Sequence, residues 1–282
     1  MNQLRTIAEC REWRPRAGDV ALVPTMGALH DGHLSLIAEA RRHARQTVVS
    51  LFVNPTQFGP REDYTKYPRP IDQDLALCKQ AGVDAVFTPA ADDMYAPGPR
   101  VTVDLPELTT VLEGKHRPGH FQGVCQVVAK LFNVVQPQVA CFGRKDFQQL
   151  RVISAMTTAL NFPINIVGCP TIREPDGLAM SSRNRYLMPD QRARALSISR
   201  ALFLAGEAFD AGARQASRLV TIMQRTLLDV GKLGHVPLSI DYVACVDPQT
   251  LRPVEQIDGP VVCCIAARVG DTRLIDNVTL NG

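Results

Sequence analysis

Two histidines three residues apart, His30 and His33, stand in the run Pro24-Thr25-Met26-Gly27-Ala28-Leu29-His30-Asp31-Gly32-His33. Imidazole N–H groups beside the free backbone N–H groups at a helix start suit an anion. Such donors can stabilise charge that builds on a phosphate during nucleotidyl transfer. Two solvated histidines in a turn are the plain alternative. A metal pair is a third reading, disfavoured because no Cys or carboxylate cluster completes a shell. Position favours chemistry: the run follows a buried strand and leads into a helix.

Three further segments have suitable chemistry. In Gly143-Arg144-Lys145-Asp146, Lys145 can meet a phosphate as a point charge and Asp146 can cap the helix that follows. The same residues also suit an ordinary strand–turn–helix junction. In Met180-Ser181-Ser182-Arg183-Asn184, two hydroxyls and a guanidinium suit a triphosphate, although polar loops of this kind are common. In Phe52-Val53-Asn54-Pro55-Thr56-Gln57-Phe58, Asn54 and Gln57 can hydrogen-bond a small polar substrate without adding charge, or serve the turn around Pro55. His116 and His120 are four apart, but Pro118 and Gly119 argue against a shared helix and hence against a metal pair. His43 and His235 read as surface residues.

The elements that must position these groups alternate. Apolar runs at 19–24, 47–53, 84–89, 138–143 and 164–170 read as strands, with a short extra strand expected at 101–105. Helices are expected over 34–45, 71–81, 122–135 and 146–160. Strands that are apolar throughout imply burial on both faces, and intervening helices imply parallel pairing. The expected fold is α/β: a doubly wound, Rossmann-like parallel sheet over residues 1–172, with a smaller α+β domain over 173–282. Ligands in such sheets sit beyond the carboxyl ends of the strands. The polar stretch 171–189 reads as the connection between domains, followed by two helices and a small antiparallel sheet.

Bulk properties narrow the classes. The chain has 282 residues and a formal net charge of +3, too mild for nucleic acid or an anionic membrane as the main partner. Its 8 cysteines form no CxxC pair, and several lie in apolar runs, which fits buried free thiols in a reducing compartment. No apolar run approaches the ~20 residues a membrane helix needs, and the N-terminus carries no apolar signal core, so a cytoplasmic protein is expected. There is neither a Walker-type phosphate loop nor a GxGxxG fingerprint.

Taken in order, VPTMGALHDGHLSL, LFVNPTQF, RPGHFQGV, CFGRKDFQQL, DGLAMSSRN and GDTRLIDN resemble the pantoate–β-alanine ligases from about residue 20 to 277. That family sits among the HxGH nucleotidyltransferases. The resemblance implies that ATP and (R)-pantoate form pantoyl adenylate, which the β-alanine amine converts to pantothenate and AMP. It assigns Met26, Gly27, Ala28, Leu29, His30, Asp31, Gly32 and His33 to ATP, together with Gly143, Arg144, Lys145, Asp146, Ile172, Met180, Ser181, Ser182 and Arg183. His33 takes the proton-donor role, with His30, Lys145, Ser181, Ser182 and Arg183 assisting. Gln57 and Gln149 hold pantoate with Asn54 nearby, and Asp74 lies near Mg2+-bound phosphates. The resemblance further implies a homodimer; the need to keep water from an acyl-adenylate points to a C-terminal domain that closes as a lid, with Ser181 to Arg183 on its hinge-side loop. Two positions depart from the family pattern: Arg144 replaces the usual acid of GEKD, and Gln73 stands where an acid often precedes Asp74.

Overall fold

The computed structural model of the chain describes residues 1–60, 62–99, 101–229 and 236–281. These divide into two compact units. The first comprises 1–110, 117–144 and 149–170; the second comprises 111–116, 145–148 and 171–282. The sequence pattern puts the boundary at 172. The long-range division falls two residues earlier, and two short segments from the first half join the second unit.

The first unit is built on a parallel sheet of six strands: β1 (Asn2–Leu4), β2 (Val20–Thr25), β3 (Gln46–Leu51), β4 (Ala85–Phe87), β5 (Val139–Gly143) and β6 (Asn165–Cys169). Their order is β1-β4-β3-β2-β5-β6. Helices α1 (Ile7–Trp13), α2 (Asp31–His43), α3 (Ile71–Gln80), α4 (Ala91–Met94) and α5 (Pro106–Thr109) precede α6 (Glu113–His116), α7 (His120–Val135) and α8 (Phe147–Ala159). Val20 to Val23 of β2 are wholly buried, as a central strand covered on both faces requires. On one face Ala21, Val23, Val49 and Cys141 pack with Leu36, Ile37 and Ala40 of α2 and Cys78 of α3. The buried α2 positions recur at helical spacing, and that amphipathic stripe fixes the helix to the sheet.

The chain leaves β2 toward β3 and β4 on one side and reaches β5 and β6 on the other, so its direction of winding reverses between β2 and β5. β2 pairs with β3 through to Thr25 opposite Leu51. Its registered pairs with β5 stop at Leu22 opposite Ala140. The sheet therefore opens at the carboxyl ends of β2 and β5, the switch point at which doubly wound sheets take their ligands.

In the second unit, α9 (Pro189–Asp210) and α10 (Ala216–Leu228) cover an antiparallel sheet β7-β8-β9, formed by Leu238–Val246, Val261–Val269 and Thr272–Leu280. Ile198, Leu202, Leu219, Met223, Cys263, Ile265 and Ala267 share its core. All eight cysteines are free and buried.

Two expectations need correction. Residues 101–105 form no strand. Asp104 instead accepts from the Leu105 N–H and the Thr109 hydroxyl at the start of α5, and Val101 is 70% exposed. The amino-terminal residues, to which the sequence assigned no element, supply edge strand β1 beside β4 and α1, whose Thr6 hydroxyl accepts the Glu9 N–H at 3.1 Å. His43 is exposed, and His235 lies outside the described residues.

Candidate active site

The loop from β2 to α2 carries the two histidines. The sequence pattern starts this helix at Leu34, but it begins at Asp31. His30 is therefore the N-cap and His33 lies in the first turn. The two rings lie side by side, centroids 4.0 Å apart and planes tilted by 34°. His33 Nδ1 accepts the His30 backbone N–H at 3.3 Å, so in the neutral ring the proton sits on Nε2. The positive end of the α2 dipole adds to the pull on an anion.

Two consecutive residues hold this loop in the left-handed region: Gly27 at φ +83° and Ala28 at φ +52°. For Ala28 that conformation costs about 1–2 kcal/mol. Four hydrogen bonds offset the cost. The Thr25 hydroxyl accepts the Gly27 N–H at 3.1 Å and donates to the Ser50 carbonyl at 2.8 Å. Asp74 Oδ2 accepts the Ala28 N–H and Oδ1 the Leu29 N–H, each at 2.8 Å. Asp74 is 2% exposed.

That arrangement bears on the metal assignment. Both carboxylate oxygens of Asp74 are taken up by backbone donors in a site closed to water. Among the described residues, no group of three or more His, Cys, Asp or Glu side chains is placed to hold a metal ion. The side chains here do not fit a protein-held Mg2+.

The substrate-assigned turn lies beside the same loop. Pro55–Gln57 forms a 3-10 turn after Asn54, and Gln57 Nε2 lies 3.2 Å from Met26 Sδ. A residue expected to hold pantoate thus touches one expected to line the ATP site. Asn54 is 1% exposed and fully engaged. Its amide donates to Gln57 Oε1 at 3.0 Å and the Gly123 carbonyl at 3.1 Å, and its carbonyl accepts from Tyr95 OH at 2.7 Å. Asn54 therefore orients the Gln57 amide, with Oε1 toward Asn54 and Nε2 toward Met26.

Residues that sequence reasoning set aside support this turn. His120 Nδ1 lies 2.8 Å from the Gln57 carbonyl, which can only accept, so Nδ1 carries a proton. Its Nε2 lies 3.0 Å from Arg117 Nη1, and Arg117 grips Glu62 through two bonds of 2.7 and 2.8 Å. Burial pushes the Glu62 carboxyl up, but the Arg117 guanidinium overrides it and holds the pKa down at about 2. Sequence reasoning weighed His120 only against His116 as a metal pair. The signal it lacked was the contact with Gln57, which no local spacing reveals. Gly123 is required by the same packing: a Cβ there would meet the Thr56 carbonyl oxygen, so α7 can approach the turn only through a glycine.

The other assigned residues divide between the units. Gly143 ends β5, and Arg144 is exposed and donates to the Gly168 carbonyl at 3.0 Å. The base at the usual acid position is thus tied to β6. Gln149 lies in the first turn of α8, in the first unit. Lys145, Asp146, Ile172, Met180, Ser181, Ser182 and Arg183 belong to the second unit. There Asn277 Nδ2 donates to the Lys145 carbonyl at 2.7 Å. Lys145 Nζ lies 3.8 Å from Asp146 Oδ1, and the Met180 N–H donates to the Ile172 carbonyl at 2.9 Å. The Ser181 hydroxyl accepts the Arg183 N–H at 3.3 Å, so it caps a 3-10 turn (Ser182–Tyr186) in which Ser182 is buried.

A doubly wound sheet whose first full strand leads into paired histidines at a helix start has the layout of an α/β enzyme with room for an anionic ligand. Comparison with known proteins gives its family. The family model for pantoate–β-alanine ligase matches residues 2–279. The chain belongs to the pantoate–β-alanine ligase family, whose members are ATP-dependent ligases forming a carbon–nitrogen bond. It is 53% identical over 278 residues to pantothenate synthetase 1 of Bradyrhizobium diazoefficiens, covering 98% of this chain and 95% of that one. The crystal structure of pantothenate synthetase from Thermus thermophilus matches with a TM-score of 0.93 at 45% identity over 99% of both chains. A pantoate–β-alanine ligase from Francisella tularensis, complexed with β-γ ATP and β-alanine, matches at 0.79 and 31% identity, covering 99% of this chain and 97% of that one.

Proposed function

We propose that this chain condenses (R)-pantoate with β-alanine through pantoyl adenylate, using the residues described above. The observation that carries the reading is the contact between Gln57 and Met26, in the loop that carries the paired His30 and His33. It sets an uncharged amide, suited to a hydroxy acid, next to donors suited to a phosphate.

The chemistry needs no protein nucleophile. A pantoate carboxylate is ionised at pH 7 and can attack the α-phosphorus of ATP directly. The new bond is carboxylate oxygen to phosphorus, and the bond to the β-phosphate oxygen breaks, releasing pyrophosphate. The barrier is the approach of two anions. In this reading His33 Nε2–H and His30 stabilise the charge on the transferring phosphate, assisted by Lys145, Ser181, Ser182 and Arg183. Gln57 and Gln149 hold pantoate, with Asn54 fixing the Gln57 amide. The amine of β-alanine then attacks the acyl carbon, AMP leaves with the carboxylate oxygen, and the ammonium proton passes to solvent. Mg2+ belongs here as the companion ion of ATP, with no step assigned to it.

A cytoplasmic homodimer is part of the same reading. No helix among the described residues is long and apolar enough to cross a membrane, which accords with small, soluble substrates. The lid role for residues 173–282 is tested by limited proteolysis. Protection of 171–189 on adding ATP and pantoate is expected, and unchanged cleavage would count against it.

Nucleotide product analysis tests the function. With ATP, Mg2+ and pantoate, AMP should accumulate over many turnovers only when β-alanine is present, with no ADP. ADP as the product would replace the adenylate with an acyl phosphate.

A further inference from the structure

We infer that Asp74 is a positioning residue for the histidine loop, acting through backbone donors rather than through a metal ion. The inference rests on the proposed reading of this loop as part of the ATP site. Asp74 lies in the first turn of α3, 46 positions from Ala28 and 45 from Leu29, whose N–H groups its two oxygens accept. Those donors converge on one carboxylate from a turn in which Gly27 and Ala28 are both left-handed. In other turns, converging backbone N–H groups bind an anion from outside. Here the occupant is the protein's own carboxylate, held where almost no water reaches it.

Two consequences follow for the reaction. The Ala28 and Leu29 N–H groups are unavailable to phosphate oxygens, so the anion-binding groups of this loop are the imidazoles and the free N–H groups at the start of α2. The placement of those imidazoles is also set from α3. Asp74 fixes the two residues immediately before His30, and its contact with Gly27 leaves no space for a side chain there, because a Cβ on Gly27 would stand 2.8 Å from Asp74 Oδ2. Gly27 and Asp74 form one contact that can be broken from either side.

The first test uses the wild-type, ligand-free protein in EDTA. Amide hydrogen exchange should show the Ala28 and Leu29 N–H groups protected without any metal, and fast exchange at both would overturn the inference. The second test measures ATP binding calorimetrically in EDTA for wild type, Asp74→Asn and Gly27→Ala. An asparagine offers an NH2 to one of the two N–H groups and cannot accept from it. Both variants should weaken metal-free ATP binding about tenfold, the loss expected for one charge-assisted hydrogen bond. Asp74→Asn should leave the Mg2+ concentration for half-maximal activity at saturating ATP unchanged. Wild-type ATP affinity in EDTA for Asp74→Asn, with a defect that appears only when Mg2+ is added, would show a metal ligand instead. Failure of the wild type to bind ATP, in EDTA and with Mg2+ alike, would sink the ATP-site reading, while the amide protection still reports on Asp74.

Discussion

His33 owes its proposed role to two contacts of different kinds. The His30 backbone N–H selects its tautomer, and the neighbouring His30 ring, 4.0 Å away between centroids, limits its rotation. Replacing His33 with Ala removes a donor aimed at developing charge, which is expected to lower kcat about 10²-fold or more. Steady-state kinetics should show the KM for pantoate changed far less, because Gln57 is held independently. Glu62 makes a second prediction. Its carboxyl is depressed to about 2 by Arg117 against the opposing effect of burial. A group with a lowered folded-state pKa contributes stability that is complete above its unfolded value, about 4.3, and is lost as pH falls toward 2. Thermal unfolding of Glu62→Gln should therefore lose part of the acid-side slope between about pH 4.5 and 2 that wild type shows. Identical slopes would mean that the Arg117 pair contributes nothing.

The helices show why some of this was legible and some was not. A buried strand, a glycine-containing turn and an amphipathic run made α2 and its histidines visible, since each depends on local pattern alone. The start of α2 was misplaced by one turn because Asp31 and Gly32 look like loop residues, and their helical state depends on the His30 cap. The function of α7 was hidden for a different reason. Its apolar stripe is plain, but that Gly123 must be a glycine follows only from the close approach of Thr56, far earlier in the chain. A Gly123→Ala side chain would press on the Thr56 carbonyl. The expected cost is about 1–3 kcal/mol, as for other overpacked sites, with a raised KM for pantoate because Gln57 must shift. Calorimetry and kinetics together check this, and a variant with wild-type stability and KM would mean that the turn relaxes freely.

The doubly wound sheet and the antiparallel C-terminal sheet were both readable, because continuous apolar strands and the change of rhythm after residue 170 are compositional signals. The partition of the chain was not. Residues 111–116 join the second unit through Glu113, which is buried, accepts two bonds of 2.6 and 2.8 Å from Arg273 and one of 2.9 Å from Tyr242 OH. These partners are 160 and 129 positions away, and nothing local announces them. Removing one member of a buried pair leaves the other charge unmatched. Arg273→Met is thus expected to destabilise the protein by about 3–5 kcal/mol, read from denaturant unfolding. A loss below about 1 kcal/mol, typical of an exposed pair, would contradict the role given to Glu113. The same logic places Lys145 in the second unit, tied by its carbonyl to Asn277.

In the proposed mechanism a pantoate oxygen becomes bonded to the α-phosphorus of ATP, and isotope transfer reports on that bond. Pantoate labelled with 18O in its carboxylate would be incubated with ATP, Mg2+, β-alanine and the enzyme, and the nucleotide product analysed by mass spectrometry. One 18O per AMP and none in pyrophosphate is the expected result, because cleavage of the acyl–oxygen bond leaves that oxygen on the nucleotide. Unlabelled AMP, or label in inorganic phosphate, would rule the adenylate route out.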